Sequence, residues 1–138
     1  MIARINCKTN YDSLIKKISD DYGNDPHLVK AIINVESNFN TKAHNTRGED
    51  SRGLGQINAP TAIALGITDL KSLFRPEINI EVMNKLICDL KKRHFITQDI
   101  IAAYNAGSVK ANRAGYYINT AYVLNVYSRY LAYSILEV

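Results

Sequence analysis

Tryptophan is absent from this chain, and cysteine, proline and glycine are scarce: two Cys, three Pro and seven Gly among 138 residues. Cys7 and Cys88 stand far apart with no CxxC companion. That excludes a disulfide scaffold and a cysteine-based zinc module, and two free thiols are expected. His27, His44 and His94 lack HxxxH spacing, so no metal site is expected. No apolar run reaches the ~18–20 residues of a membrane span. The N-terminus, MIARINCKTN, shows no apolar segment of a secretory leader. The spacings GxGxxG and GxxxxGK[ST], which cradle phosphates, are missing. So are internal repeats, low-complexity tracts and long linkers.

Acidic residues are fewer than basic ones, 13 against 17, which leaves a formal net charge of +4. A mild basic excess suits an anionic partner, such as a bacterial wall rich in carboxylates and phosphates. The cations are scattered. Their densest cluster, LKKRH (90–94), reads as a solvated helix end where positive charge suits the dipole, so no nucleic-acid interface is expected.

What is present reads as helices punctuated by Gly, Asn and Pro, in one domain spanning 1–138. YDSLIKKISDDYG (11–23) puts Leu14, Ile15 and Ile18 on one face and stops at Gly23. Asp25 can cap a second helix that starts at Pro26 and runs to Ser37 or Asn38. Helical pattern resumes at PTAIALG (60–66). It is clearest in 75–94, with a stripe of Met83, Leu86, Ile87 and Leu90. TQDIIAAYNAG (97–107) is a short helix capped by Thr97 and closed by Gly107. The last helix, 119–136, carries Val123, Val126, Tyr127, Tyr130 and Leu131 on its apolar face. Residues 40–58 hold three glycines and no helical period, and should form an ordered loop with a short β-hairpin.

One carboxylate is out of place. In the second helix Val29, Ile32, Ile33 and Glu36 fall at i, i+3, i+4 and i+7, so Glu36 continues the apolar face. Burial disfavours its charged form and should raise its pKa, as a general acid for glycosidic cleavage requires. On this helix alone, a Glu whose head reaches water or an arginine is the commoner arrangement. GLGQIN (53–58) adds two glycines that permit tight turns and close approach of a ligand. It also supplies two amides, Gln56 and Asn58, suited to sugar hydroxyls and N-acetyl groups. AYNAG (103–107) places Tyr104 beside the Ile100–Ile101 face and Asn105 in the last turn. Tyr122 lies beside the stripe of the final helix, where its hydroxyl could reach a cleft.

VESNFNTKA, GLGQINAPTA, AYNAG and NTAYVLNV, in that order and spacing, resemble the catalytic domain of soluble lytic transglycosylases, a goose-lysozyme-related family. The resemblance covers about residues 11–130. It implies a mainly α, lysozyme-like α+β fold: a single helical domain with a substrate groove. It assigns Glu36 as the one catalytic acid/base, with Ser37, Gln56, Tyr104, Asn105 and Tyr122 lining the substrate site, which Asn58 joins on its amide chemistry alone. The implied substrate is the glycan strand of peptidoglycan, cut between N-acetylmuramic acid and N-acetylglucosamine to leave a 1,6-anhydro end. The implied mechanism uses no cofactor, and the protein is expected to be a monomer.

Two departures stand out. Gly55 replaces the methionine usual in the family's Gly-Leu-Met-Gln element, removing an apolar contact. The stretch from Glu36 to Gln56 is slightly long and contains GEDS, so Glu49 or Asp50 is a possible second acid. A hydrolytic muramidase of the goose type would need such an acid, although Asn58 stands where those lysozymes carry one. A non-catalytic module binding cell wall or nucleic acid is the remaining alternative. The expected place of action is the bacterial wall, in the periplasm or outside. With no leader visible, a phage virion or lysis protein, or a trimmed secreted domain, would fit.

Overall fold

The structure is a computed structural model and describes residues 8–137. Among the described residues, six α-helices surround one core: α1 (Asp12–Tyr22), α2 (Pro26–Ser37), α3 (Ala59–Ala64), α4 (Pro76–Lys91), α5 (Thr97–Ala106) and α6 (Thr120–Leu136). A three-stranded antiparallel sheet lies between α2 and α3: β1 (His44–Asn45), β2 (Ser51–Arg52) and β3 (Ile57–Asn58). A 3-10 helix, Leu70–Phe74, precedes α4 and was not foreseen from the sequence. No described helix is long and apolar enough to cross a membrane.

α2 is the axis of the molecule. Asp25 accepts from the His27 N–H and Pro26 occupies the first turn, so the helix starts where the sequence places it. The expected one-sided stripe is wrong for its first turns. Leu28 to Ile33 are all buried, because α1, α4 and α6 enclose the helix. Even Lys30 is buried there. It pairs with Asp12 at 3.0 Å and with Glu137, and its ammonium lies 4.6 Å from the Tyr133 ring. Its two ends, Pro26–His27 and Asn34–Ser37, are half-buried and reach the surface.

Two local expectations are corrected and one is extended. The 40–58 stretch holds the expected hairpin, β1–β2, and adds a third strand to it. Buried Ile57 anchors this strand, which runs straight into α3, and Asn58 caps that helix. Thr97 does not cap α5. It is the first helical residue, and Ile96 at the cap position makes no side-chain cap bond. Leu131 of α6 is 44% exposed, and Ala132 and Tyr133 take the inward positions. Cys88 is a free thiol, while Cys7 lies outside the described residues.

Candidate functional site

Glu36 sits on the last turn of α2, half-buried, where that helix leaves the core. The chain must turn immediately after it. Asn38 (φ 49°) and Phe39 (φ 62°) both take the left-handed conformation, and the Asn38 N–H closes the helix on Asn34 O. Burial pushes the Glu36 carboxyl up from 4.5 to about 7. The Tyr122 hydroxyl opposes this by donating to Oε2 at 2.8 Å. That bond leaves Oε1 to carry a proton. Among the described residues, burial and this bond are the causes of the shift. Tyr104 lies close enough for the Glu36 charge to be felt, and its own hydroxyl is pushed well up by burial.

Of the other residues singled out in the sequence, Tyr122 and Tyr104 lie beside Glu36, and most of the set is tied to the protein. Ser37 donates to Leu54 O at 2.7 Å, so its proton joins α2 to the GLGQ loop and is not free for a ligand. Gln56 adopts φ 49°, and its Nε2 donates to Ala43 O (3.0 Å) and Gly53 O (3.1 Å), leaving Oε1 as an acceptor. Asn58 Oδ1 accepts from the Thr61 N–H, which leaves its Nδ2 as a donor. Asn105 Oδ1 accepts from Asn119 Nδ2 at 2.9 Å, and Asn119 also donates to Ala102 O. Asn58, Tyr104 and Asn105 share a cavity of about 250 Å³ whose floor includes Leu65, Leu86 and Leu90.

The two glycines do not open room for a ligand, as their sequence context suggests. Their space is filled from within. A Cβ on Gly53 (φ 77°) would stand 2.2 Å from Leu73 O and 2.3 Å from Asn79 Nδ2. A Cβ on Gly55 would stand 2.5 Å from both Cγ and Sδ of Met83 and 2.7 Å from the Tyr104 hydroxyl. That hydroxyl donates to Gly55 O at 2.8 Å. Met83, fully buried on α4, therefore fills the volume that a side chain at position 55 would take. A Gly55→Met variant should lose about 1–3 kcal/mol or more to overpacking, and adding Met83→Ala should recover much of it. Urea melts of the single and double variants check this. A single variant as stable as the parent, or a double variant no better than the single, refutes the exchange.

Asn79 was not anticipated. Fully buried at the start of α4, it accepts the Gly55 N–H at 2.8 Å and donates to Arg52 O and Leu73 O, each at 2.9 Å. One side chain thus ties β2, the glycine loop and the 3-10 helix together. Its only sequence signal is an amide within the apolar stripe of α4.

Asp50 is engaged elsewhere. Arg52 grips it with Nε (3.0 Å) and Nη2 (2.9 Å), His44 Nε2 lies 2.5 Å away, and its carboxyl is pushed down to about 2. The Arg52 bonds are the larger cause. Glu49 is exposed in the β1–β2 turn. Among the described residues, no group of three or more His, Cys, Asp or Glu could hold a metal ion.

Solved structures of similar shape are larger proteins. An inactive glutamate-to-glutamine mutant of lytic transglycosylase Slt from Pseudomonas aeruginosa matches with TM-score 0.75 and 21% identity, over 91% of this chain and 24% of that one. The 70-kDa soluble lytic transglycosylase in complex with bulgecin A matches with TM-score 0.80 and 21% identity, over 95% of this chain and 25% of that one. This chain thus spans about a quarter of each, and at this identity the match speaks for the fold. Residues 13–122 match the family described as Transglycosylase SLT domain. With the match running from α1 to the tyrosine that faces Glu36, the chain belongs to the SLT transglycosylase family.

Proposed function

We propose that this chain is a peptidoglycan lytic transglycosylase. It cleaves the β-1,4 bond between N-acetylmuramic acid and N-acetylglucosamine and leaves a 1,6-anhydro muramyl end. The observation that carries this reading is Glu36: a lone carboxyl raised to about 7, with a tyrosine on one oxygen and the other free to hold a proton. A carboxylic acid with this pKa is protonated for half its time near neutral pH, which suits it to act as acid and then as base.

In the proposed reaction that carboxyl acts twice. Glu36 gives its Oε1 proton to the glycosidic oxygen as the bond to the muramyl C1 breaks. The acetamido oxygen of the same muramyl unit closes on C1 and takes up the developing positive charge. Glu36, now a carboxylate steadied by the Tyr122 hydroxyl, removes the proton of the muramyl 6-hydroxyl. The O6 atom then attacks C1 and displaces the acetamido oxygen. The anhydro ring is complete and Glu36 is again protonated. No water enters, so no second carboxylate is needed. Gln56 Oε1, Asn58 Nδ2 and Asn105 Nδ2 are the donors and acceptors left over to hold sugar amides and hydroxyls.

The hydrolytic alternative needs a base about 6.5–9.5 Å from the acid to activate water. Asp50, gripped by Arg52 and pushed down to about 2, is a weak base. Digestion of purified peptidoglycan followed by mass spectrometry tests the reading. Anhydro ends, lighter by one water than hydrolytic ends, are expected from the parent, and Asp50→Asn should give the same products. Purely hydrolytic ends would overturn the transglycosylase reading. Intact strands after incubation would leave only a binding module.

A further inference from the structure

Between α5 and α6 the chain forms a small hairpin, 109–118, that the proposed chemistry does not use. It is closed by an Ala111–Tyr117 bridge, with Asn112 N–H donating to Tyr116 O (2.7 Å) and Ile118 N–H to Lys110 O (2.9 Å). The Asn112 side chain stiffens the turn by accepting from the N–H groups of Ala114 (2.9 Å) and Tyr116 (3.1 Å). Tyr117 roots the hairpin: it packs against the core and its hydroxyl donates to Asp99. Alternation along a strand then turns its neighbours outward. Tyr116 is 67% exposed and Ile118 56%, with Val109 beside them. Lys110 and Arg113 are exposed, and neither makes an ion pair among the described residues.

Position gives this surface a meaning. The hairpin springs from Gly107, which lines the cavity shared by Tyr104 and Asn105, and it returns through Asn119, which is bonded to Asn105. It ends four residues before Tyr122, the partner of Glu36. A rigid element at the rim of the site, with an exposed aromatic face and two unneutralised cations, fits an anionic, partly apolar chain lying beside the glycan. On muramyl units that chain is the stem peptide, whose side chains and terminus carry carboxylates.

Resting on the function proposed above, we infer that hairpin 109–118 binds the stem peptide of the substrate, with Lys110 and Arg113 pairing with its carboxylates and Tyr116 covering its backbone. The enzyme would then prefer peptide-bearing strands to bare glycan. Steady-state kinetics on peptide-bearing strands, and on the same strands stripped by an amidase, test this. The double variant Lys110→Ala/Arg113→Ala should raise KM about three- to tenfold on peptide-bearing strands, leave kcat unchanged, and change nothing on stripped strands. Tyr116→Ala should show the same selectivity. An equal KM change on both substrates, or none on either, overturns the inference. If the parent cleaves neither substrate, the functional reading fails, and cosedimentation decides the hairpin's role separately. Parent bound more tightly to peptide-bearing than to stripped strands, with the difference lost in the double variant, supports it; equal binding refutes it.

Discussion

Glu36→Gln is expected to reduce the release of muropeptides by about 10²–10⁴-fold while leaving the protein folded. The amide keeps the volume and can still accept from the Tyr122 hydroxyl, but it has no proton to give to the leaving oxygen. Full activity in this variant would remove Glu36 from the mechanism. The pH dependence is a second readout of the same group. The acid form is needed for bond cleavage, so the parent rate should fall as pH rises through about 7. Tyr122→Phe deletes the bond that favours the carboxylate, so the falling limb should move to higher pH. A limb unchanged in that variant would mean that some other group sets it.

Stability should carry the same signature. The folded Glu36 carboxyl sits near 7 and the unfolded one near 4.5. Between these values the native state binds a proton that the unfolded chain has released. Stability therefore falls as pH rises across that window, by at most about 3 kcal/mol, and stays at the lower level above it. In Glu36→Gln this dependence should vanish, and the variant should melt no lower than the parent at pH 8. An acid kept in an unfavourable environment for chemistry costs stability where it is charged, and its replacement returns that stability.

The local parts of this site were legible in the sequence. Helical period set Glu36 on the buried side of α2, and the Asp25–Pro26 pair fixed where that helix begins. The motif order pointed to Tyr104 and Tyr122, which lie within reach of its charge. What escaped were contacts between elements distant in sequence. Gly55 announced that something comes close, but only the packing of α4 shows that Met83 is what comes. Asp50 looked like a spare acid. The antiparallel register, which pairs His44 with Arg52, sets both beside it and pulls its carboxyl down. Periodicity marks which face is buried. It does not say which side chains on two buried faces share a volume or a proton.

Asn79 is where that gap matters most, and its replacement should be the most disruptive change outside the catalytic carboxyl. Asn79→Leu would remove the acceptor of the Gly55 N–H and the Asn79 donors to the carbonyls of Arg52 and Leu73. The Gly55 and Leu73 groups lie in buried bonds, where an unmet group costs about 1–3 kcal/mol, so a total loss of about 3–5 kcal/mol is expected. Asn79→Asp separates hydrogen bonding from volume. The aspartate keeps an acceptor for the Gly55 N–H but turns an oxygen toward the other two carbonyls. Its cost should approach that of the leucine variant, even though its shape is unchanged. Activity should fall in both, because the loop that Asn79 holds also carries Gln56, the Leu54 carbonyl that Ser37 grips, and the Gly55 carbonyl that positions Tyr104. Guanidinium melts at pH 7 read the stability loss, and rates on the residual folded enzyme read the loop. If Asn79→Asp is as stable and active as the parent, the loop is held by its glycines alone and the buried amide is incidental.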